Sequence, residues 1–299
     1  MFRGQNLLFI FHFVFTLLNS KEVHAQTDSI SCKRKVIAGS LIATGWGGSM
    51  SALYNVWYKK EDQSAFHSFN DGKLWMQMDK VGHTYSAYQI GSLTNDLLEW
   101  AGCSNQSAAW ISGGIGLGYQ TTLEVFDGYS TNWGFSWNDM SANLLGSALF
   151  TAQEILWDEQ RIIPKFSYHP TSFASVRPEI LGSTFGQRLL KDYNGQTYWI
   201  SFHPFPSREH TKIPKWICLS IGYSVHEKLK GDMETFTDQD GRIYHAQREW
   251  LMSFDIDFSK IPAKRPLIKK ALKQLNYLKI PFPTLMLRNG IAHGLPLYF

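Results

Sequence analysis

Val36–Tyr58 reads VIAGSLIATGWGGSMSALYNVWY, 23 consecutive residues without an Asp, Glu, Lys or Arg. An apolar run of this length predicts a helix rather than a strand. Gly45, Gly47 and Gly48 interrupt it. A glycine costs a helix about 1 kcal/mol relative to alanine. That cost is offset where small residues let a second backbone approach closely. The signature recurs three times downstream. Asp79–Trp100 carries Gly82, Ser86, Gly91 and Ser92, and Gln106–Val125 carries Gly113, Gly114, Gly116 and Gly118. A fourth segment, from about Ser136 to Trp157, carries Ala142, Gly146 and Ala148. Four such segments in succession predict a tightly packed helical bundle, and none is apolar enough to be read as transmembrane by itself. Gly114-Ile115-Gly116-Leu117-Gly118 lacks the G-x-G-x-x-G order and follows no strand. Gly114 and Gly118 therefore read as a packing face, not a nucleotide loop.

Beyond Trp157 the pattern changes. Residues 164–186, with Pro164, Pro170 and Pro178, read as a linker. Thr197–Phe205, Lys215–Val225 and Glu249–Phe258 are rich in aromatic and β-branched residues, which predicts strands. In the last of these, Leu251, Ser253, Asp255 and Asp257 alternate with Met252, Phe254, Ile256 and Phe258, the pattern of a half-buried strand. Asp240-Gly241 is a turn signal. The chain ends on an alternating segment with a terminal Phe299, as outer-membrane barrel chains do. Four or five strands fall short of the eight such a barrel needs, so this end reads as an ordinary terminal strand. Lys264–Lys279 has helical spacing, with Leu267, Ile268, Ala271, Leu272, Leu275 and Leu278 apart from Lys269, Lys270 and Lys273. It reads as a surface helix over the sheet, or as one lying in a membrane interface. The expected fold is α+β. A bundle of about four Gly/Ala-rich helices over residues 26–163 precedes the linker, and a smaller strand-rich region covers 187–299.

The N-terminus reads as an address. Arg3 precedes the 12-residue apolar stretch Leu7–Leu18, too short to span a bilayer and suited to a secretory signal peptide over residues 1–25. Val23-His24-Ala25 is the expected cleavage site. Cys32 does not directly follow the apolar stretch, which argues against lipid attachment there. An exported chain permits a disulfide. Cys32 with Cys103 is one pairing, and three free thiols is the other reading. The 299 residues carry a net charge of +4, and only 18% are charged while 15% are aromatic. About 25% charge is usual for soluble domains, so this surface is less strongly solvated than most. No basic stripe alternates with aromatics, which excludes a nucleic-acid platform. Membrane lipid or an envelope protein is the expected partner, in the periplasm or at the outer membrane. No cofactor is specified.

Three of the helical segments each bring polar or ionisable groups into stretches otherwise low in charge. Asp79 and His83 stand four apart on the second segment, beside Lys80. Glu124 and Asp127 end the third segment, and Asp139 and Asn143 stand four apart on the fourth. If these faces meet, one imidazole and several carboxylates share a site. Such a set can ligate a divalent metal or supply a general base. Each residue also has an ordinary reading. Asp79 suits an N-cap, Ser136-x-x-Asp139 suits a capping box, and His83 suits a core histidine bonded to Asp79. With one histidine, a hydrogen-bonded polar core is favoured over a metal centre.

The ordered set Asp79-Lys80-x-x-His83, then Gly118 with Glu124-x-x-Asp127-Gly128, then Phe135-Ser136-x-x-Asp139-x-x-x-Asn143-x-x-Gly146, resembles the YfiM-like family of predicted envelope proteins. It is distantly similar to VanZ-like membrane proteins. The resemblance covers about residues 36–157. It implies a helical envelope domain, with these seven ionisable or polar residues at the family's motif positions, and no reaction. The chain departs from lipoprotein members in lacking a lipobox. The expected function is therefore a non-catalytic, membrane-associated envelope protein. An envelope hydrolase built on His83 and its carboxylates, and a binding module built on the strands, are the alternatives.

Overall fold

In the computed structural model, residues 28–59, 62–203 and 214–299 are described. The expected signal peptide, its cleavage site and the end of the Thr197–Phe205 strand lie outside them. The chain divides into two units. One comprises residues up to Gly72 and His83–Gln160, the other Lys73–Gly82 and Arg161–Phe299.

The first unit is helical, as the small-residue segments predict. Its elements are α1 (Asp28–Leu53), continued by a π-helical turn (Tyr54–Tyr58), α2 (Met78–Trp100), α3 (Asn105–Gly128) and α4 (Trp137–Trp157). Ser104 caps α3 by accepting from the Ser107 N–H, and Ser136 caps α4 by accepting from the Asp139 N–H. The glycine stripe lets backbones touch. A Cβ on Gly116 would sit 2.5 Å from the Ala87 carbonyl oxygen, and one on Gly113 would sit 2.0 Å from Thr151 Oγ1. Gly114 has nothing within 4 Å, so the packing contacts run through Gly113, Gly116 and Gly118, whose Cβ would sit 3.1 Å from the Trp46 ring, and not through Gly114 as the sequence implies. Against α1, Ala38 packs with Leu97 and Ala101 of α2 and its short C-terminal extension.

The residues expected to be a linker are ordered structure. They hold most of β1 (Ile162–Tyr168) and the short helices α5 (Phe173–Val176), α6 (Pro178–Leu181) and the start of α7 (Phe185–Lys191). Then follow β2 (Gln196–Phe202), β3 (Ile217–His226), the hairpin β4 (Thr235–Thr237) and β5 (Ile243–His245), and β6 (Gln247–Ile256). The chain finishes with α8 (Pro266–Leu275), β7 (Phe282–Arg288) and β8 (Ile291–Tyr298). Asp240-Gly241 makes the expected turn of the hairpin. Gly241 takes φ +79°, and Asp238 Oδ1 accepts from the N–H groups of Asp240 and Arg242.

Six strands, not four or five, form one antiparallel sheet in the order β1-β2-β3-β6-β7-β8. Pairing sets its faces. Ile200, Ile221, Met252 and Leu285 lie in one cross-strand row on the outer face, and Tyr198, Tyr223, Trp250 and Leu287 lie in the next. On the opposite face Trp199, Leu251 and Met286 form a small buried cluster. The rest of that face is polar. Lys165 and Asp255 pair at 2.9 Å with both side chains fully buried, and Ser201 and Ser220 also donate to Asp255 Oδ2. The alternation in β6 is therefore real, but its polar set faces inward. All three cysteines are free thiols, so the Cys32–Cys103 disulfide is not formed.

Candidate polar site of the helical unit

Two close approaches place the site. A Cβ on Gly146 of α4 would lie 2.1 Å from the Thr84 carbonyl oxygen of α2. Thr84 Oγ1 in turn donates to the Ala142 carbonyl at 3.1 Å. This contact sets His83, next to Thr84, against Asn143, one turn before Gly146. His83 Nδ1 and Asn143 Oδ1 are 2.9 Å apart. Gln120 of α3 brings its Nε2 to 3.4 Å from the same oxygen and 3.3 Å from His83 Nδ1.

The other side of the imidazole faces Glu124. His83 Nε2 is 3.6 Å from Glu124 Oε1, while Glu124 Oε2 accepts the Ser136 N–H at 3.1 Å. Ser136 Oγ donates to Asp71 Oδ1 at 2.5 Å and accepts from Asp139 N–H at 3.1 Å. One serine thus caps α4, holds Asp71 and steadies Glu124. With Asn143 Oδ1 as acceptor, His83 Nδ1 carries the proton and Nε2 turns a lone pair toward Glu124. A neutral Glu124 suits that lone pair better than a carboxylate. Burial pushes the Glu124 carboxyl up to about 8; His83 opposes the shift, while Asp139 and Asp127 add to it.

That shift fixes a pH dependence. The folded chain keeps a proton on Glu124 that the unfolded chain gives up near pH 4.5. Stability therefore falls as pH rises from the unfolded value toward about 8, by an amount on the order of a few kcal/mol, and then levels. Glu124→Gln keeps an acceptor for the Ser136 N–H and removes the titration. Denaturation at about pH 5 and about pH 9 should show the wild type losing stability against the Gln variant. Parallel changes in the two proteins would sink this account.

His83, Glu124, Asp139 and Asn143 are brought together as the sequence anticipates. Asp139 is not the helix cap; that role is Ser136's. A ring nitrogen of His83 and a carboxylate oxygen of Asp139 lie within 4.8 Å. One imidazole and two carboxylates are a donor set that a divalent cation accepts. Asp127 turns elsewhere, accepting from Tyr58 Oη at 2.6 Å. Asp79 and Lys80, at the start of α2, belong to the other unit. They pair at 3.0 Å, and Tyr193 Oη donates to Asp79 at 3.2 Å. Gln120 escaped the sequence reading although it stands four residues before Glu124, on the same helical face. Asp71 carries no such signal, because it reaches the site from a loop.

The site is closed. Glu124 is 1% exposed and Asn143 0%. Two surface cavities lie elsewhere. One of about 230 Å³ is lined by Tyr54, Tyr58 and Phe126, and one of about 250 Å³ by His169, His226, Glu249 and Arg288. Neither is lined by His83.

Neither a curated protein nor a solved structure matches the chain. Residues 68–153 match the family described as predicted periplasmic lipoprotein (DUF2279). That span includes the whole His83–Glu124–Asn143 cluster, and the match supports an exported, periplasmic envelope protein of uncharacterised function.

Proposed function

We propose that this chain is a membrane-associated envelope protein whose polar cluster is a structural pin between three helices, not a catalytic centre. The observation that carries the reading is closure. The carboxyl and amide that face His83 are withdrawn from solvent, and the helices that carry them meet backbone to backbone at Gly116 and Gly146. A buried hydrogen-bonded cluster between helices fixes their register.

The membrane half of the proposal rests on the outside of the same helices. Trp110 and Ile111 of α3, and Leu144, Leu145 and Leu156 of α4, are exposed, while Ser112, Gln120, Asn143, Ser147 and Thr151 are buried. Apolar patches of this kind mark contact surfaces. Cys32–Leu53, with mean hydropathy 1.2, is long and apolar enough to cross a bilayer, and little of it is buried. It is the one such helix among the described residues.

The test uses His83→Ala in the native host. As a pin, His83 leaves Asn143 and Glu124 without their partner when removed. The variant should lose about 1–3 kcal/mol of stability and fall in membrane abundance, with no divalent metal bound to the wild type. A stoichiometric metal in the wild type, missing from a His83→Ala variant of unchanged melting temperature, would overturn the reading in favour of a metal-assisted hydrolase.

A further inference from the structure

The six-stranded sheet is inside out. A water-soluble antiparallel sheet turns its apolar face to the core and its polar face to solvent. Here the buried face holds the Lys165–Asp255 pair, with Ser201, Ser220, Glu249 and Ser253 also buried. The uncovered face holds Ile221, Trp250, Met252, Phe254 and Leu285; Met252, at the centre, is 54% exposed. No Asp, Glu, Lys or Arg stands on that face between Trp250 and Ile256, or at the positions paired with those residues in β3 and β7.

We propose that this face contacts lipid, its occupant being the acyl chains of a bilayer. The inference deepens the membrane-associated reading and rests on it. Two observations select lipid over a protein partner. The first is the inversion itself: charge inside and an unbroken apolar exterior is the arrangement of sheets solvated by hydrocarbon. A protein interface instead surrounds its apolar centre with a polar rim. The second is dimension. From Trp250 to Ile256 the band runs about 20 Å along the strand, and β3 and β6 have ten residues each, within the range of bilayer-crossing strands. The band has a defined end: Tyr198 and Tyr223 pack against Met76 and Met78, the Tyr223 hydroxyl donates to the Met76 carbonyl at 2.5 Å, and Arg248 donates to Gln77 Oε1 at 2.6 Å, so that end of the face is covered by the chain itself. The free edge of β1 is not left open at its centre, since Phe166 N–H donates to Tyr277 and the Phe166 carbonyl accepts from Lys279 N–H.

The experiment uses the full chain with Cys32 and Cys103 changed to serine; Cys218 is buried and stays. Single cysteines are placed by Met252→Cys, Leu285→Cys and, as an aqueous reference on the hairpin turn, Asp240→Cys. Each carries an environment-sensitive fluorophore. The protein is reconstituted with vesicles of phosphatidylethanolamine and phosphatidylglycerol. The labels at positions 252 and 285 should be quenched several-fold more by lipid-borne nitroxide than the label at position 240, and several-fold less by iodide. If the protein floats with the vesicles but all three labels respond alike to iodide, the sheet inference falls and the membrane reading stands. If positions 252 and 285 resist both quenchers and the protection depends on protein concentration, the occupant is a second copy and the inference is again overturned. A protein that does not float with vesicles defeats both readings.

Discussion

Lys165→Met should be among the most damaging single substitutions in the strand-rich unit, lowering stability by about 3–5 kcal/mol. Lys165 is fully buried, pairs with Asp255 at 2.9 Å and donates to the Ile256 carbonyl at 2.6 Å. Removing the ammonium strands a buried carboxylate. Lys279 is the remaining cation, and at 3.8 Å it is too far to hydrogen-bond the Asp255 carboxylate directly. The companion variant separates the pair's value from the cost of breaking it. Lys165→Met combined with Asp255→Leu removes both charges of the pair, Lys279 keeps its bonds to Ser253 Oγ and the Ile280 carbonyl, and Ser201 and Ser220, 2.6 Å apart, still satisfy each other. Replacing a buried pair by apolar residues is commonly neutral or stabilising. The double variant should therefore recover most of the loss. Chemical denaturation of the full chain in detergent reads both, and a double variant as unstable as the single one would show that the pair itself holds the sheet.

Why that pair was invisible beforehand is a matter of symmetry. Alternation in β6 tells which residues share a face, not which face is buried. Reading Leu251, Ser253 and Asp255 against Met252 and Phe254 identifies the strand correctly and leaves its polarity undecided. The usual rule would have buried Phe254; the structure buries Asp255. β1 was hidden for a different reason. Pro164 and the prolines after it read as linker, yet β1 is an edge strand, where a residue without an N–H is tolerated. The helices were more legible, because apolar runs broken only by small residues have few alternatives. α1 nonetheless includes Asp28, ahead of the expected Val36, and Lys33, Arg34 and Lys35 lie within it. Within the site, four-residue spacing marks Asp79 with His83 and Asp139 with Asn143, and position at the end of the third segment marks Glu124 and Asp127; Asp127 lies one turn further along α3 and finds Tyr58 instead. Asp71 could not have been found, since it joins Ser136 across 65 residues of chain.

The glycine stripe offers the sharpest contrast of all. Gly146 and Gly114 look alike in the sequence, each on a helix of the bundle among apolar neighbours. A Cβ on Gly146 would meet the Thr84 backbone, with its carbonyl oxygen at 2.1 Å and its carbonyl carbon at 2.9 Å. Backbone cannot rotate aside as a side chain can, so α2 and α4 must separate. His83 and Asn143 flank that contact, and their 2.9 Å hydrogen bond would lengthen with it. Gly146→Ala should cost roughly 1–3 kcal/mol, the usual range for overpacking, and Gly146→Val more. Gly114 has open space around it, so Gly114→Ala gains helix propensity without a clash and should stabilise by roughly 0.5–1 kcal/mol. Melting temperatures of the two alanine variants should therefore move in opposite directions. The Gly146→Ala variant should also lose the upward shift of Glu124, because a separated helix pair admits water to the carboxyl. The pH-dependent loss of stability would then flatten, as it does in Glu124→Gln. Equal shifts in melting for both alanine variants would mean that helix propensity, not contact between backbones, decides the bundle.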